Sequence, residues 1–306
     1  MSSSANLRGA LFMAVSMAGF ASNDAIVKSL AGQMNMGQVM AVRGLFATVL
    51  IGLLAWRAGA LAAPKRLLHP MVLLRTAGEI GATTFFLLAL ARLPIANVSA
   101  VLQALPLAVT MGAALVLGEP VGWRRWLAIG LGFLGVLIVV RPGFEGFDAY
   151  ALLALVSVLF AATRDIATRR VPAEIPSLML SSASAIAVTL AGAALVTPFG
   201  GWQPVAPTSA AMLLGAAVLL LFGYQFIIMA VREGDIAFVA PFRYTALLWS
   251  ILLGMLVFGE IPDGPMLTGA AIIVGSGLYA LYRERRVGRL QPVTRSTDAG
   301  MAPDGL

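Results

Sequence analysis

Residues of this chain recur 141 positions later, in order and without a gap. Ala10, Leu11, Val15, Ser16, Ala21 and Asp24 return as Ala151, Leu152, Val156, Ser157, Ala162 and Asp165. The same offset carries Ile95, Ala96, Val98, Leu115, Val116, Gly118 and Glu119 onto Ile236, Ala237, Val239, Leu256, Val257, Gly259 and Glu260. Alanine and leucine matches follow from composition. An aspartate inside an apolar run and a Gly-Glu at a run's end do not, so the chain is a duplicated unit.

Each unit is built for a bilayer. With 59% hydrophobic and 11% charged residues, and a mean hydropathy of +0.91, the chain has too little polar surface for a soluble globule of its length. Runs of about 20 apolar residues, enough to cross the hydrocarbon core, predict ten spans. They lie near 8–30, 36–56, 70–90, 96–117, 124–140, 147–169, 177–197, 209–229, 237–258 and 266–282. The repeats are then 8–140 and 147–282, followed by a basic tail, 283–306, that reads as disordered. The net charge of +7 does not call for nucleic acid. If the spans alternate, Arg8, Arg57, Lys65, Arg66, Arg124, Arg125, Arg169, Arg170, Arg232 and the arginines after 282 share one side. Only Lys28, Arg92 and Arg141 face the other. The positive-inside asymmetry puts both termini in the cytoplasm, and the Gly- and Ala-rich spans with short loops suit a bacterial cytoplasmic (inner) membrane.

Five spans per repeat is an odd number, so the second copy enters the membrane from the opposite side. The halves are inverted, related by a pseudo-twofold axis in the membrane plane. That arrangement points to a secondary transporter with its substrate site between the repeats. Asp24 lies about 9 Å, six residues at 1.5 Å each, from one membrane edge, and Asp165 a similar distance from the other.

Ionisable residues inside spans each cost roughly 2.5–3.5 kcal/mol to insert and need partners or water. They are Asp24, Arg43, Arg75, Glu79, Arg164, Asp165 and Arg243. Asp24 with Arg43, and Asp165 with Arg75 or Arg243, read as two layers of ion pairs gating a cavity. The deepest, Glu79, is a cavity candidate and a candidate for proton coupling, or else a partner neutralised by Arg75 one helical turn away. Span 4 carries Ser99, Gln103, Pro106 and Thr110 in a polar stripe. Phe86 in span 3, Tyr224 and Gln225 in span 8, and Tyr244 and Trp249 in span 9 complete an aromatic and amide lining suited to an amphipathic metabolite. Pro106 and Pro241 interrupt spans 4 and 9 and are the expected hinges. The run GLGFLG at 130–135 fits a dinucleotide fingerprint, yet it lies within a span, where close helix packing explains it. Glu119 and Glu260 end spans 4 and 9 beside prolines and read as structural interface residues.

The stretch ALARLPIANVSAVLQALPLAVTMGAALVLGEPVGWRRWLAIGLGFLGVLIVVRPG, with its Gly-Glu, basic loop and Gly-rich helix, resembles the EamA domain of the drug/metabolite transporter superfamily. Residues 236–277 repeat the pattern less closely. Within that group the chain is most similar to the YddG-type exporters of amino acids. The resemblance implies an all-α membrane protein with a basket of eight helices around a central cavity and spans 5 and 10 at the periphery. It implies export of small amphipathic metabolites, aromatic or other neutral amino acids foremost. Drug or cation antiport and sugar-phosphate or nucleotide-sugar transport are the alternatives. No cofactor and no metal is expected, since the chain has one histidine and no cysteine and so lacks the parts for zinc or serine-histidine chemistry. The expected partners are a small-molecule substrate and the lipid bilayer, with monomer and homodimer both open.

Overall fold

A computed structural model describes residues 3–60, 64–119, 121–142, 148–172 and 174–286, and the tail expected to be disordered lies outside them from residue 287 onward. Among the described residues all regular structure is helical, and ten helices are long and apolar enough to cross a membrane. Spans 1 to 3 are Ser3–Ser29, Met36–Arg57 and Pro70–Leu90. Span 4 is split into Ile95–Leu102 and Leu105–Val116, and span 5 is Trp123–Val140. Spans 6 to 8 are Tyr150–Arg169, Ser177–Val196 and Pro207–Glu233. Span 9 is composite, with Ile236–Val239, a 3-10 turn at Ala240–Tyr244, Thr245–Leu253 and a π turn at Gly254–Phe258; span 10 is Gly264–Arg286. The odd number of crossings per repeat makes the two five-helix units inverted. Both described ends of the chain lie on one face, called here the terminal face; the opposite one is the distal face.

Local chemistry sets the helix boundaries. Asn35 caps span 2 by accepting the Gln38 amide at 2.9 Å. Pro70 begins span 3, and the His69 ring accepts the Met71 amide at 3.2 Å. Spans 4 and 9 end in the same way. Gly118 and Gly259 take left-handed conformations, φ +66° and +65°, that a side chain would resist. The turn sends the next amide back to the helix, from Glu119 to Ala113 O at 3.2 Å and from Glu260 to Gly254 O at 2.9 Å. It also swings each glutamate sideways, off its own helix.

The extensive helix pairings join one repeat to the other: span 1 with 8, span 3 with 6, span 2 with 7, and span 5 with 10. The pairs 1–8 and 3–6 repeat the same contacts at several positions. Ser16 donates to Gly223 O at 2.6 Å, and its counterpart Ser157 donates to Ala82 O at 2.9 Å. Gly19 packs on Phe222 and Phe160 packs on Gly81, again equivalent positions. Thr48 and Thr189 are themselves repeat mates and share a hydrogen bond of 3.1 Å between spans 2 and 7, so the pseudo-twofold axis passes between them. The glycine run of span 5 packs as expected of helix contacts. A Cβ on Gly135 would come 2.8 Å from Gly269 O in span 10, and Gly132 accommodates Leu107, whereas Gly130 faces open space.

The backbones of spans 2 and 7 meet at Gly192, where a Cβ would lie 2.7 Å from Ala41 N. Gly192→Leu is expected to abolish the monodisperse detergent-solubilised species on size-exclusion chromatography. Gly130→Leu, on the outward face of span 5, should leave that species unchanged.

A central cavity closed by paired charges

Between the repeats lies one cavity whose walls are drawn from equivalent positions of both. Asp24 and Asp165, Phe86 and Ile227, Ser99 and Ala240, Leu102 and Arg243, Gln103 and Tyr244, Leu105 and Ala246, and Val109 and Ser250 all line it. Each pair differs by 141, so the axis runs through the cavity. Spans 4 and 9 are both irregular at this depth, broken at Gln103–Ala104 and wound as a 3-10 turn up to Tyr244. Membrane helices tolerate such breaks where they border a cavity. Pro106 lines the space directly; Pro241 lies within the 3-10 turn one residue from the lining.

The polar ends of the lining come mainly from the second repeat. Arg243 Nη1, Tyr244 Oη and Asp165 Oδ2 are buried without a hydrogen-bond partner among the described residues. Tyr244 owes its place to Gly277 of span 10, since any side chain there would collide with the phenol. Gln103 Nε2 donates to Arg243 O at 3.5 Å, linking the two broken helices. Against these groups stand Met17, Phe20, Phe86 and Leu102, an apolar wall. The site offers a cation, a phenol and a carboxylate at one end and hydrocarbon at the other.

Beside the cavity runs a buried chain of four charges. Arg164 Nη1 lies 3.0 Å from Glu79 Oε1, its Nη2 lies 2.8 Å from Asp165 Oδ1, and Arg75 Nη2 lies 3.6 Å from Glu79 Oε2. Arg164, Asp165 and Glu79 side chains are wholly buried. Arg75 also donates to Ser184 Oγ of span 7. These bonds correct several expectations. Glu79 does not line the cavity, because both its oxygens face guanidinium groups between spans 3 and 6. Arg75 is part of that tie and is likewise off the cavity wall. The ion-pair partner of Asp165 is Arg164, its own neighbour, rather than Arg75 or Arg243. On the distal side Arg43 donates to Asn23 Oδ1 at 3.2 Å, and Asn23 Nδ2 donates to Asp24 Oδ1 at 3.0 Å, so the expected gate pair shares one amide. Arg43 is buried in that contact, while Asp24 reaches the cavity.

Three aromatic or amide candidates also fall elsewhere. Tyr224 is buried edge-to-face on Phe20, with ring centroids 5.3 Å apart, behind the wall rather than in it. Gln225, one residue on and so about 100° around the helix, is exposed on the outside of the bundle. Trp249 ties span 9 to span 1 by donating Nε1–H to Ala14 O at 3.0 Å. Phe86, Gln103 and Tyr244 are where the sequence put them.

Glu119 and Glu260, expected to be structural interface residues, each reach across to a basic residue of the other repeat. Lys28 Nζ lies 3.0 Å from Glu260 Oε1 on the distal side, and Arg169 Nη1 lies 3.1 Å from Glu119 Oε1 on the terminal side. Lys28 and Arg169 are repeat mates, as are Glu119 and Glu260, so one latch is the image of the other. Each joins the first repeat to the second. The distal latch is the more enclosed, with Lys28 also donating to Leu90 O at 3.3 Å and to Leu93 O, and Glu260 Oε2 accepting the Ile95 amide at 2.8 Å. Leu90 and Ile95 line the central cavity, whereas Lys28 and Phe258 line an open vestibule on the distal face. The latch is therefore the partition between the two spaces. With both latches made, the cavity is only ≈ 70 Å³, against the several hundred that enclose a metabolite, so in this conformer it is too small to hold one.

These features define a duplicated membrane carrier fold. Residues 7–141 and 149–282 both match the EamA-like transporter family, and the chain belongs to it. It is 33% identical over 203 residues to a riboflavin transporter of Vibrio cholerae, covering 64% of this chain and 65% of that protein. It is 28% identical over 276 residues to the pseudopaline exporter CntI of Pseudomonas aeruginosa, covering 87% and 93%. An S-adenosylmethionine uptake transporter of Rickettsia conorii is 26% identical over 196 residues, covering 63% and 65%. The chain thus spans about two thirds of the length of the riboflavin transporters it matches. A protein of known crystal structure shares the fold at TM-score 0.63 and 20% identity, over 94% of this chain and 100% of its own. The narrower likeness to amino-acid exporters gives way here to relatives with several different cargoes.

Removing Arg164 would take from buried Asp165 its ion-pair partner and leave Glu79 with Arg75 alone. Arg164→Gln is expected to destabilise the protein by about 3–5 kcal/mol, measured as a fall in the thermal unfolding midpoint in detergent. Gln103→Leu, at the cavity wall, should leave that midpoint nearly unchanged.

Proposed function

We propose that this protein is a secondary carrier that moves a small amphipathic metabolite across the bacterial inner membrane by alternating access, with the terminal face in the cytoplasm. Export of aromatic or other neutral amino acids is one instance of that class. The observation that carries the reading is the pair of repeat-equivalent latches at opposite ends of one cavity. An inverted repeat gives each half the conformation its mate has just left. Opening Lys28–Glu260 with Arg169–Glu119 closed gives access from the distal face, and the reverse gives access from the terminal face. Spans 4 and 9, already broken beside the cavity, are where the bending falls.

The lining argues for cargo with an apolar body and one polar end. Among the described residues Arg243 is the only basic side chain in the wall, and one guanidinium suits a single carboxylate or carbonyl better than a doubly charged phosphate, which favours paired cations. This weighs against sugar phosphates. The two guanidinium contacts to Glu79 favour its reading as a structural tie over a proton carrier.

The absence of cysteine from the chain makes the latches directly testable. Lys28→Cys/Glu260→Cys and Glu119→Cys/Arg169→Cys are each expected to support saturable counterflow in proteoliposomes, using a panel of aromatic amino acids, riboflavin and S-adenosylmethionine. A short bis-methanethiosulfonate linker should stop counterflow in both, and reductant should restore it. Undiminished counterflow with either pair cross-linked would overturn the alternating latch.

A further inference from the structure

The distal vestibule has a chemistry of its own. It is a ≈ 580 Å³ space open to the distal face, and among the described residues its lining holds two cations, Lys28 and Arg92, and no carboxylate. Both cations lie over aromatic rings of the same wall: Lys28 Nζ is 5.4 Å from the Phe258 centroid, and the Arg92 guanidinium is 5.5 Å from that of Tyr150. Arg92 is exposed, while the Lys28 side chain is 10% exposed and Glu260 20%. Two aromatic rings, each with a cation beside it, together make a receptor for a flat anion, which can pack its body on the aromatic wall and bring its carboxylate to the positive groups.

Lys28 is also the latch, and its bonding is saturated. An ammonium has three N–H donors, and here they have three partners: Leu90 O, Leu93 O and the Glu260 carboxylate. The two carbonyls are fixed by the end of span 3 and the turn after it. Glu260 is the only partner of Lys28 that a like-charged ligand can replace, and its other oxygen keeps the Ile95 amide. Opening the latch without a ligand would leave a largely buried ammonium uncompensated, which is costly. Exchange of one carboxylate for another leaves Lys28 compensated throughout.

We propose that the vestibule is a first binding station for a flat, singly charged organic anion, and that the anion takes Lys28 from Glu260 and so releases the distal latch. A ligand can shift a two-state equilibrium only by binding one state better, and this exchange supplies the difference, since the second cation is free for ligand only when Glu260 has withdrawn. The meaning of the release rests on the transport reading; the binding does not.

Gly32 lines the vestibule, with open space around the position of a Cβ. In the otherwise cysteine-free chain, Gly32→Cys provides a single thiol whose modification rate by a maleimide reports occupancy, in detergent and without flux. The probes are indole-3-acetate, its neutral isostere indole-3-acetamide, the cation tryptamine, and acetate. Indole-3-acetate is expected to protect the thiol at a concentration at least tenfold below the other three. Adding Arg92→Gln, an exposed position, should weaken that protection at least fivefold. Adding Glu260→Gln should strengthen it severalfold, because the competitor for Lys28 is gone; a merely structural Glu260 would give no gain. Equal protection by the acetate and the amide of indole would overturn the station, and unchanged or weaker protection in Glu260→Gln would overturn the exchange. Counterflow measured on the same preparations separates the two readings. Flux without protection rejects the station alone, and protection without flux rejects the carrier while leaving the binding site.

Discussion

Everything in this molecule depends on one surface of a five-helix unit fitting the same surface of its inverted copy. Where an inverted unit meets its twin, each residue is used twice, once in each direction. Ser16 must find Gly223 O while Ser157 finds Ala82 O, and the small residues at 19 and 81 must receive the rings at 222 and 160. Side-chain hydrogen bonds between membrane helices contribute only about 0.6 kcal/mol on average. Close packing at glycine therefore sets the geometry, and the serine bonds fix its register. The same doubling puts equivalent residues on both walls of the cavity and makes the two latches images of each other.

The Gly-Glu at the ends of spans 4 and 9 turns that symmetry into closure. A left-handed glycine stops the helix and throws the following carboxylate outward, toward the opposite repeat. There it meets Lys28 or Arg169, one near each membrane face. The motif is thus a hook, and its glycine is required by the backbone rather than by packing.

The ten spans, the inversion and the mirrored Asp24 and Asp165 were legible because each follows from counting along the chain. Phe86, Gln103 and Tyr244 were legible because a cavity between repeats selects polar and aromatic positions on interrupted helices. Gln225 was misjudged by a single residue: it adjoins Tyr224 in sequence, and a step of about 100° takes it from the interface to the outside. Glu79 was drawn into the cavity because a deep carboxylate suggests function, yet the partner that holds it, Arg164, is 85 residues away on another span. The latches were the part of the site least legible one helix at a time. The offset carries Lys28 onto Arg169 and Glu119 onto Glu260, two basic and two acidic positions at opposite ends of the repeat. That opposite-sign pairing was a readable signal. Reading each charge against its own helix and the nearest interface concealed it.

Function requires that the symmetry be incomplete, and the departures are concentrated in charge. Arg75, Glu79 and Arg164 correspond to Ala216, Leu220 and Asn23. The interface of spans 3 and 6 is held by a buried chain of ions. Its image between spans 1 and 8 is held by Ser16, Phe20 and Tyr224, with the Arg8–Glu233 pair only at its rim. Separating spans 3 and 6 breaks contacts that cost about 3–5 kcal/mol when one partner is lost, while separating spans 1 and 8 forfeits mainly packing. Two open states related by perfect symmetry would be equal in energy. Here three residues beside the cavity, Arg75, Glu79 and Arg164, have no charged equivalent in the other interface, and Arg243, facing Leu102 across the axis, makes the cavity itself polar on one wall and apolar on the other. On the carrier reading proposed above, a polar and an apolar wall would hold an amphipathic cargo in one orientation, so that a nearly symmetric scaffold handles an asymmetric molecule.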